Sequence, residues 1–117
     1  MKNLFILNAQ PYGTEHSYNG LRLAGAIAKD TTQEVKVFLM GDAASCAKSG
    51  QKVPDGFYNI ELMIKRLARV KDGLVGVCGT CMDARGIKTE ELIEGTHRGT
   101  LDELANWSIE ADKVFVF

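Results

Sequence analysis

The sequence predicts an α/β domain, a mostly parallel sheet with helices on both faces. Short apolar runs recur along the chain without the alternation of a half-exposed strand, as expected where both faces of a parallel strand are covered. Between them lie stretches with apolar residues at helical spacing, the order that builds βαβ units. The length of 117 residues allows one domain over the whole chain, 1–117, and a domain of this size buries a core without staples.

Asn3 to Leu7 reads as the first strand. A loop with Pro11 and Gly13 follows, in which Gly13 supplies a conformation closed to other residues. Tyr18, Leu21, Ala24, Ile27 and Ala28 then fall at helical spacing, with Thr14 or Ser17 as N-cap. Val35 to Met40 is a second strand. Gly41 to Tyr58 is a long connection, of a kind that is often functional, with a short helix from about Ala43 to Ser49. Asn59 caps a helix in which Ile60, Met63, Ile64, Leu67 and Val70 trace one apolar stripe.

Leu74 to Val77 is a third strand ending at Cys78, and Met82 to Gly86 can start a short helix. Leu92 to Thr96 reads as a fourth strand. Thr100-Leu101-Asp102-Glu103 is a capping box, opening a helix that carries Leu101, Leu104, Ala105 and Ile109. Val114 to Phe117 is the last strand. Open sheets of this kind bind ligands outside the carboxyl ends of their strands, so the loops after Leu7, Met40 and Val77 are expected to face one region.

Fourteen Lys and Arg against fifteen Asp and Glu give a net charge of −1. That removes the long-range attraction a nucleic-acid or anionic-membrane binder needs. No apolar run has the length of a secretory leader core or a membrane span. The expected location is cytoplasmic, where thiols stay reduced. Three cysteines, an odd number with one close pair, read as reactive or packed thiols and not as a disulfide framework.

That pair is Cys78-Gly79-Thr80-Cys81, directly after a strand. A thiolate is the nucleophile, and a free thiol with its pKa near 8.5 is mostly protonated at neutral pH. Exposed backbone N–H groups at a helix start favour the anion. Arg85 and Lys52 are cations that can assist, whereas Asp83 opposes ionisation if close. The spacing also permits a Cys78–Cys81 disulfide. Tyr12, Gly13, Gly79, Thr80, Lys52 and Arg85 are the candidates to line the pocket around the pair; for Tyr12 a structural turn is the equal alternative, and for Lys52 a solvated surface position is the favoured one.

Other residues read more plainly. Cys46 is expected to behave as a small apolar residue. His16 and His97 are expected to cap, pack or face water, and Trp107 to sit in the core or a subunit contact. Gly73, Gly76 and Gly79 lack the spacing of a phosphate loop. No cofactor is implied. A metal site built from Cys78, Cys81 and His97 or Cys46 lacks a second ligand pair.

Three segments together resemble the DsrE/DsrF family, most closely its YchN-like branch. They are Ala9-Gln10-Pro11-Tyr12-Gly13-Thr14-Glu15, the run from Val77 to Ile87 that contains both cysteines, and the ending Ala111-Asp112-Lys113-Val114-Phe115-Val116-Phe117. Phe38-Leu39-Met40 and Gly50-Gln51-Lys52 extend the similarity over essentially the whole chain. The resemblance implies a three-layer α/β/α sandwich with a parallel five-stranded sheet, assembled as a homo-oligomer (trimer or hexamer). It also implies a sulfur-relay protein that carries a persulfide on a cysteine after the third strand, receiving sulfur from a donor protein and passing it to an acceptor protein. Cys78 matches that position, with Arg85-Gly86 matching an Arg-Gly downstream. Cys81 is outside the sulfur carriers' pattern but is similar to the YchN-like members.

The expected chemistry is attack of the Cys78 thiolate on a sulfane sulfur, then transfer to an acceptor cysteine or release as sulfide by Cys81. The alternatives are a dithiol–disulfide oxidoreductase and a non-catalytic oligomeric binding protein.

Overall fold

Five strands and four α-helices alternate along the chain in the computed structural model, which describes residues 1–117. Strand β1 (Lys2–Leu7) leads to helix α1 (His16–Ala28) and strand β2 (Glu34–Leu39). A 3-10 helix, Gly41–Ala47, precedes α2 (Ile60–Ala68) and β3 (Val75–Cys78). Then come α3 (Gly79–Ala84), a 3-10 turn at Thr89–Glu91, β4 (Thr96–Gly99), α4 (Leu101–Glu110) and β5 (Lys113–Val116).

The strands order as β4-β3-β2-β1-β5, and every pairing is parallel. The central strands are covered on both faces, which is why they read as unbroken apolar runs. Phe5 and Leu7 of β1, with Val37 and Leu39 of β2, pack under Leu21 and Ala24 of α1 and Ile60, Ile64 and Leu67 of α2. Leu4 and Phe38 point the other way and meet Leu104 of α4. The result is the expected three-layer sandwich, with two long helices and the 3-10 segment on one face and α4 on the other.

The structure moves several element boundaries. The fourth strand is Thr96–Gly99, later than the expected Leu92 to Thr96. The apolar residues Leu92 and Ile93 are held by the end of the 3-10 helix instead: Leu92 bridges Lys48, and Ile93 N–H donates to Ala47 O at 2.8 Å. Neither Thr14 nor Ser17 caps α1. Glu15 occupies that position without a side-chain bond, while the buried Ser17 hydroxyl donates to Ala9 O at 2.6 Å. Asn59 does cap α2, accepting from Leu62 N–H at 3.0 Å. Helix α3 starts at Gly79, three residues before Met82, so both ends of the cysteine pair belong to its first turn.

Candidate functional site: a thiol pair at the end of β3

Cys78 is the last residue of β3 and the N-cap of α3. Parallel strands end together at one rim of the sheet, and β3 is flanked there by β2 and β4, so the strand-to-helix turn is held on both sides. Strand alternation turns Cys78 towards the α4 side, beside Leu4, Phe38 and Leu104. The residue is 8% exposed, shielded but not sealed. Its sulfur lies 3.3 Å from the Thr80 hydroxyl.

Two opposed influences act on this sulfur. Burial raises the thiol pKa, as for any group that must ionise away from water. Hydrogen bonds from the Cys81 thiol, the Thr80 hydroxyl and the backbone N–H groups of Cys81 and Thr80 outweigh it, and hold Cys78 below the ordinary thiol range. Those N–H groups are free because a helix's first turn has no carbonyls behind it to accept them.

Cys81 is biased the other way. Burial and the neighbouring Cys78 sulfur raise its pKa, against a partial counter-pull from Gly41 N–H and the Arg85 charge. The Gly41 N–H lies 3.1 Å from the Cys81 sulfur, so the start of the 3-10 helix closes over the second thiol. The pair therefore consists of one sulfur prepared to ionise and one prepared to keep its proton.

Arg85 donates to Cys81 O at 3.0 Å and to Asp42 Oδ1 at 2.7 and 3.1 Å, tying the end of α3 to the 3-10 helix. Asp83 does not oppose Cys78 as a free charge; Arg98 of β4 takes both its oxygens at 2.8 Å. Thr80 and Gly79 are at the site as expected. Tyr12, Gly13 and Lys52 belong to other surroundings. The Tyr12 hydroxyl accepts from Ile60 N–H at 3.1 Å and donates to Tyr58 O at 3.2 Å, and its ring stacks on Tyr58. It fixes the start of α2. Gly13 holds φ at +103°, as the turn requires. Lys52 lines a shallow groove with Asn59, Glu61 and Lys65.

Cys46 is fully buried in the larger core and directs its thiol to Ala9 O at 3.7 Å. Burial pushes its pKa up to about 12. His97 is paired with Glu103, and no group of three His, Cys, Asp or Glu side chains is arranged to hold a metal ion. No helix is long and apolar enough to cross a membrane. Sequence reasoning missed Gly41, Asp42 and Arg98, because each reaches the site through the fold and none lies in the cysteine motif.

With the geometry in view, comparison with known proteins gives a consistent answer. The model of the DsrE/DsrF-like family matches residues 1–117. The chain belongs to that family. Within it, the chain is 43% identical to Protein YchN of Escherichia coli strain K12, covering 99% of this chain and 98% of the relative. An uncharacterised protein of Methanopyrus kandleri is 37% identical, over 96% of this chain and 90% of its own. The crystal structure of the E. coli ychN protein superposes with a TM-score of 0.89 at 42% identity, covering 99% of this DsrE/DsrF-like chain and 98% of that one.

Proposed function

We propose that this protein is a sulfur-relay protein that carries sulfur as a persulfide on Cys78. The observation that carries the reading is the thiol pair on the first turn of α3, where Cys78 ends β3 with its sulfur 3.3 Å from the Thr80 hydroxyl and the surrounding donors favour the anion at Cys78 over Cys81. Membership of the DsrE/DsrF-like family supports the same chemistry.

In the first step the Cys78 thiolate attacks the outer sulfur of a donor persulfide. The donor's S–S bond breaks, the donor leaves as a thiolate, and Cys78 holds –S–SH. Thiol exchange follows thiolate fraction and leaving-group acidity, so a stabilised Cys78 anion both forms readily and leaves readily. In the second step an acceptor thiolate takes the outer sulfur and Cys78 departs as thiolate. A competing exit runs through Cys81. Once deprotonated, it attacks the inner sulfur, expels hydrosulfide and closes a Cys78–Cys81 disulfide, which an external dithiol then reduces, itself becoming the disulfide.

The donor and acceptor are proteins bearing reactive cysteines, and nucleic acid and membrane are not direct partners on this reading. A homo-oligomer is part of it. Val114 and Val116 lie beside Leu4 and Ile6 in register, on the side of α4, and Val116 is 65% exposed and Ile109 of α4 82% exposed. Apolar surface of this kind marks association.

The test is intact mass spectrometry after exposure to a low-molecular-weight persulfide. The wild type is expected to gain one sulfur, Cys46→Ala to gain it equally, and Cys78→Ser to gain none. In Cys81→Ser the adduct should persist longer, because the internal exit is gone. Equal uptake by Cys78→Ser would overturn the proposal. The same pair also fits a dithiol–disulfide oxidoreductase, and that reading predicts insulin-disulfide reduction lost in Cys81→Ser.

A further inference from the structure

The chain leaves β2 at Met40, whose N–H still donates to Leu7 O at 2.9 Å. The next N–H, that of Gly41, opens the 3-10 helix and has no carbonyl behind it to accept. It donates to the Cys81 sulfur at 3.1 Å instead. Gly41 holds φ at +54°, a bend that a residue with a Cβ resists. Asp42 follows, and its Oδ1 accepts from Arg85 Nε at 3.1 Å and Nη2 at 2.7 Å. The third guanidinium nitrogen, Nη1, donates to Cys81 O at 3.0 Å. These contacts close a loop, from the Cys81 sulfur to Gly41, along the chain to Asp42, across to Arg85, and back to the Cys81 carbonyl. Cys81 is thereby held at both its side chain and its main chain.

We propose that Asp42 and Arg85 are positioning residues for the second thiol: their bond holds the Gly41 N–H on the Cys81 sulfur and so fixes the direction from which Cys81 closes on Cys78. This rests on the reading of Cys81 as the thiol that attacks the Cys78 sulfur. A sulfur that must strike a particular partner gains most from a fixed approach. Burial and the neighbouring Cys78 sulfur disfavour the Cys81 anion, and the two groups that favour it, the Gly41 N–H and the Arg85 charge, both belong to the loop. The loop therefore orients the sulfur and eases the loss of its proton at once.

A bland account competes: the Arg85–Asp42 pair ties α3 to the 3-10 helix and does nothing else. The packing makes that tie superfluous. Ala43, Ala44, Cys46 and Ala47 are fully buried, so the core already anchors the segment. The Asp42 side chain is 62% exposed, and an ion pair so open to water adds little to stability. A third account makes the pair a source of charge alone. It predicts the opposite sign for one variant, since Asp42→Ala removes a negative charge near Cys81 and would ease its ionisation. Positioning predicts that the same variant slows the closure.

The experiment mixes the intact protein with one equivalent of dithiodipyridine and follows pyridinethione by absorbance. In the first phase the Cys78 thiolate attacks a reagent sulfur, the reagent S–S bond breaks and one pyridinethione leaves. In the second, deprotonated Cys81 attacks the Cys78 sulfur, expels the other pyridinethione and closes the disulfide, so two electrons pass from the thiol pair to the reagent. Asp42→Ala is expected to slow the second phase relative to the first by roughly three- to tenfold. Arg85→Lys keeps the charge but cannot hold Asp42 and the Cys81 carbonyl together, and should slow it likewise. Cys81→Ser should show the first phase only, and the first phase reports that the turn around Cys78 is folded. An unchanged phase ratio in Asp42→Ala, wild-type closure in Arg85→Lys, or a wild type without a second phase would overturn the inference. The reagent donates no sulfur, so the two proposals fail separately. Closure that answers to Asp42 in a protein that never gains sulfur retains this inference and removes the relay.

Discussion

The Glu103 carboxylate lies 2.8 and 2.9 Å from His97 Nε2 and does not fold back onto the N-cap of its own helix. Thr100 still accepts from Glu103 N–H at 3.1 Å, so the expected capping box is half built. The carboxylate occupies a slot floored by two glycines. A Cβ at Gly99 would come within 2.5 Å of Glu103 Oε1 and 2.9 Å of the Phe38 ring, and one at Gly76 within 2.9 and 3.0 Å of the same groups.

Gly99→Ala is therefore expected to cost about 1–3 kcal/mol through overpacking. Combined with Glu103→Ala, part of that loss should return, leaving the clash with Phe38. Urea melts of the two single variants and the double variant measure the coupling. Simple additivity would show that Glu103 does not fill the slot.

Tyr12→Phe removes one hydroxyl that serves two backbone groups, Ile60 N–H and Tyr58 O. The expected loss is about 1–2 kcal/mol of stability. Cys78 alkylation should keep its wild-type rate, because Tyr12 braces α2 and not the thiol turn. A slowed alkylation at unchanged stability would return Tyr12 to the site.

Cys46 makes a pH prediction with a definite sign. Burial pushes its pKa up to about 12 in the folded protein, against 9.0 for a thiol free in water. Between those values the unfolded chain has released the proton and the folded chain has not. Stability from this group is thus complete below pH 9 and falls as pH rises towards 12. From about pH 8 to about pH 10.5 the wild type should lose roughly 2 kcal/mol more than Cys46→Ala. Chemical denaturation of both proteins at the two pH values provides the check; parallel losses would mean that the Cys46 environment is wetter than described.

Association is tested by light scattering. If the apolar strip of Val114 and Val116 forms a contact between copies, Val116→Asp should lower the molar mass in solution. A wild type that runs as a monomer at all concentrations refutes the contact.

Much of this architecture was legible because burial on both faces leaves a plain mark. The runs at β1 and β2, the stripe of α2 and the Asn59 cap each follow from a local rule. The fourth strand was misplaced because Thr96 to Gly99 consists of charged Arg98, polar Thr96 and His97, and a glycine, with no apolar signal, while the apolar pair Leu92 and Ile93 serves the 3-10 helix. At the site, Cys78 and Cys81 were visible as a motif. Their inequality was not, since it depends on how far the fold buries each sulfur and on which hydroxyl and N–H donors the turn aims at Cys78. Lys52 and Tyr12 take the structural alternatives, a surface groove and a brace on α2, for the converse reason: nearness to a loop in sequence does not set the direction in which a side chain is used.

The sheet also works as a partition. Cys46 is sealed on the side of α1 and α2, while Cys78 opens on the side of α4. An oxidant reaching the native chain therefore finds one couple to close, residues 78 and 81, and has no route to scrambled bridges without unfolding. A reagent count should find two reactive thiols before denaturation and three after it, so the oxidation state of the molecule is a single two-electron variable.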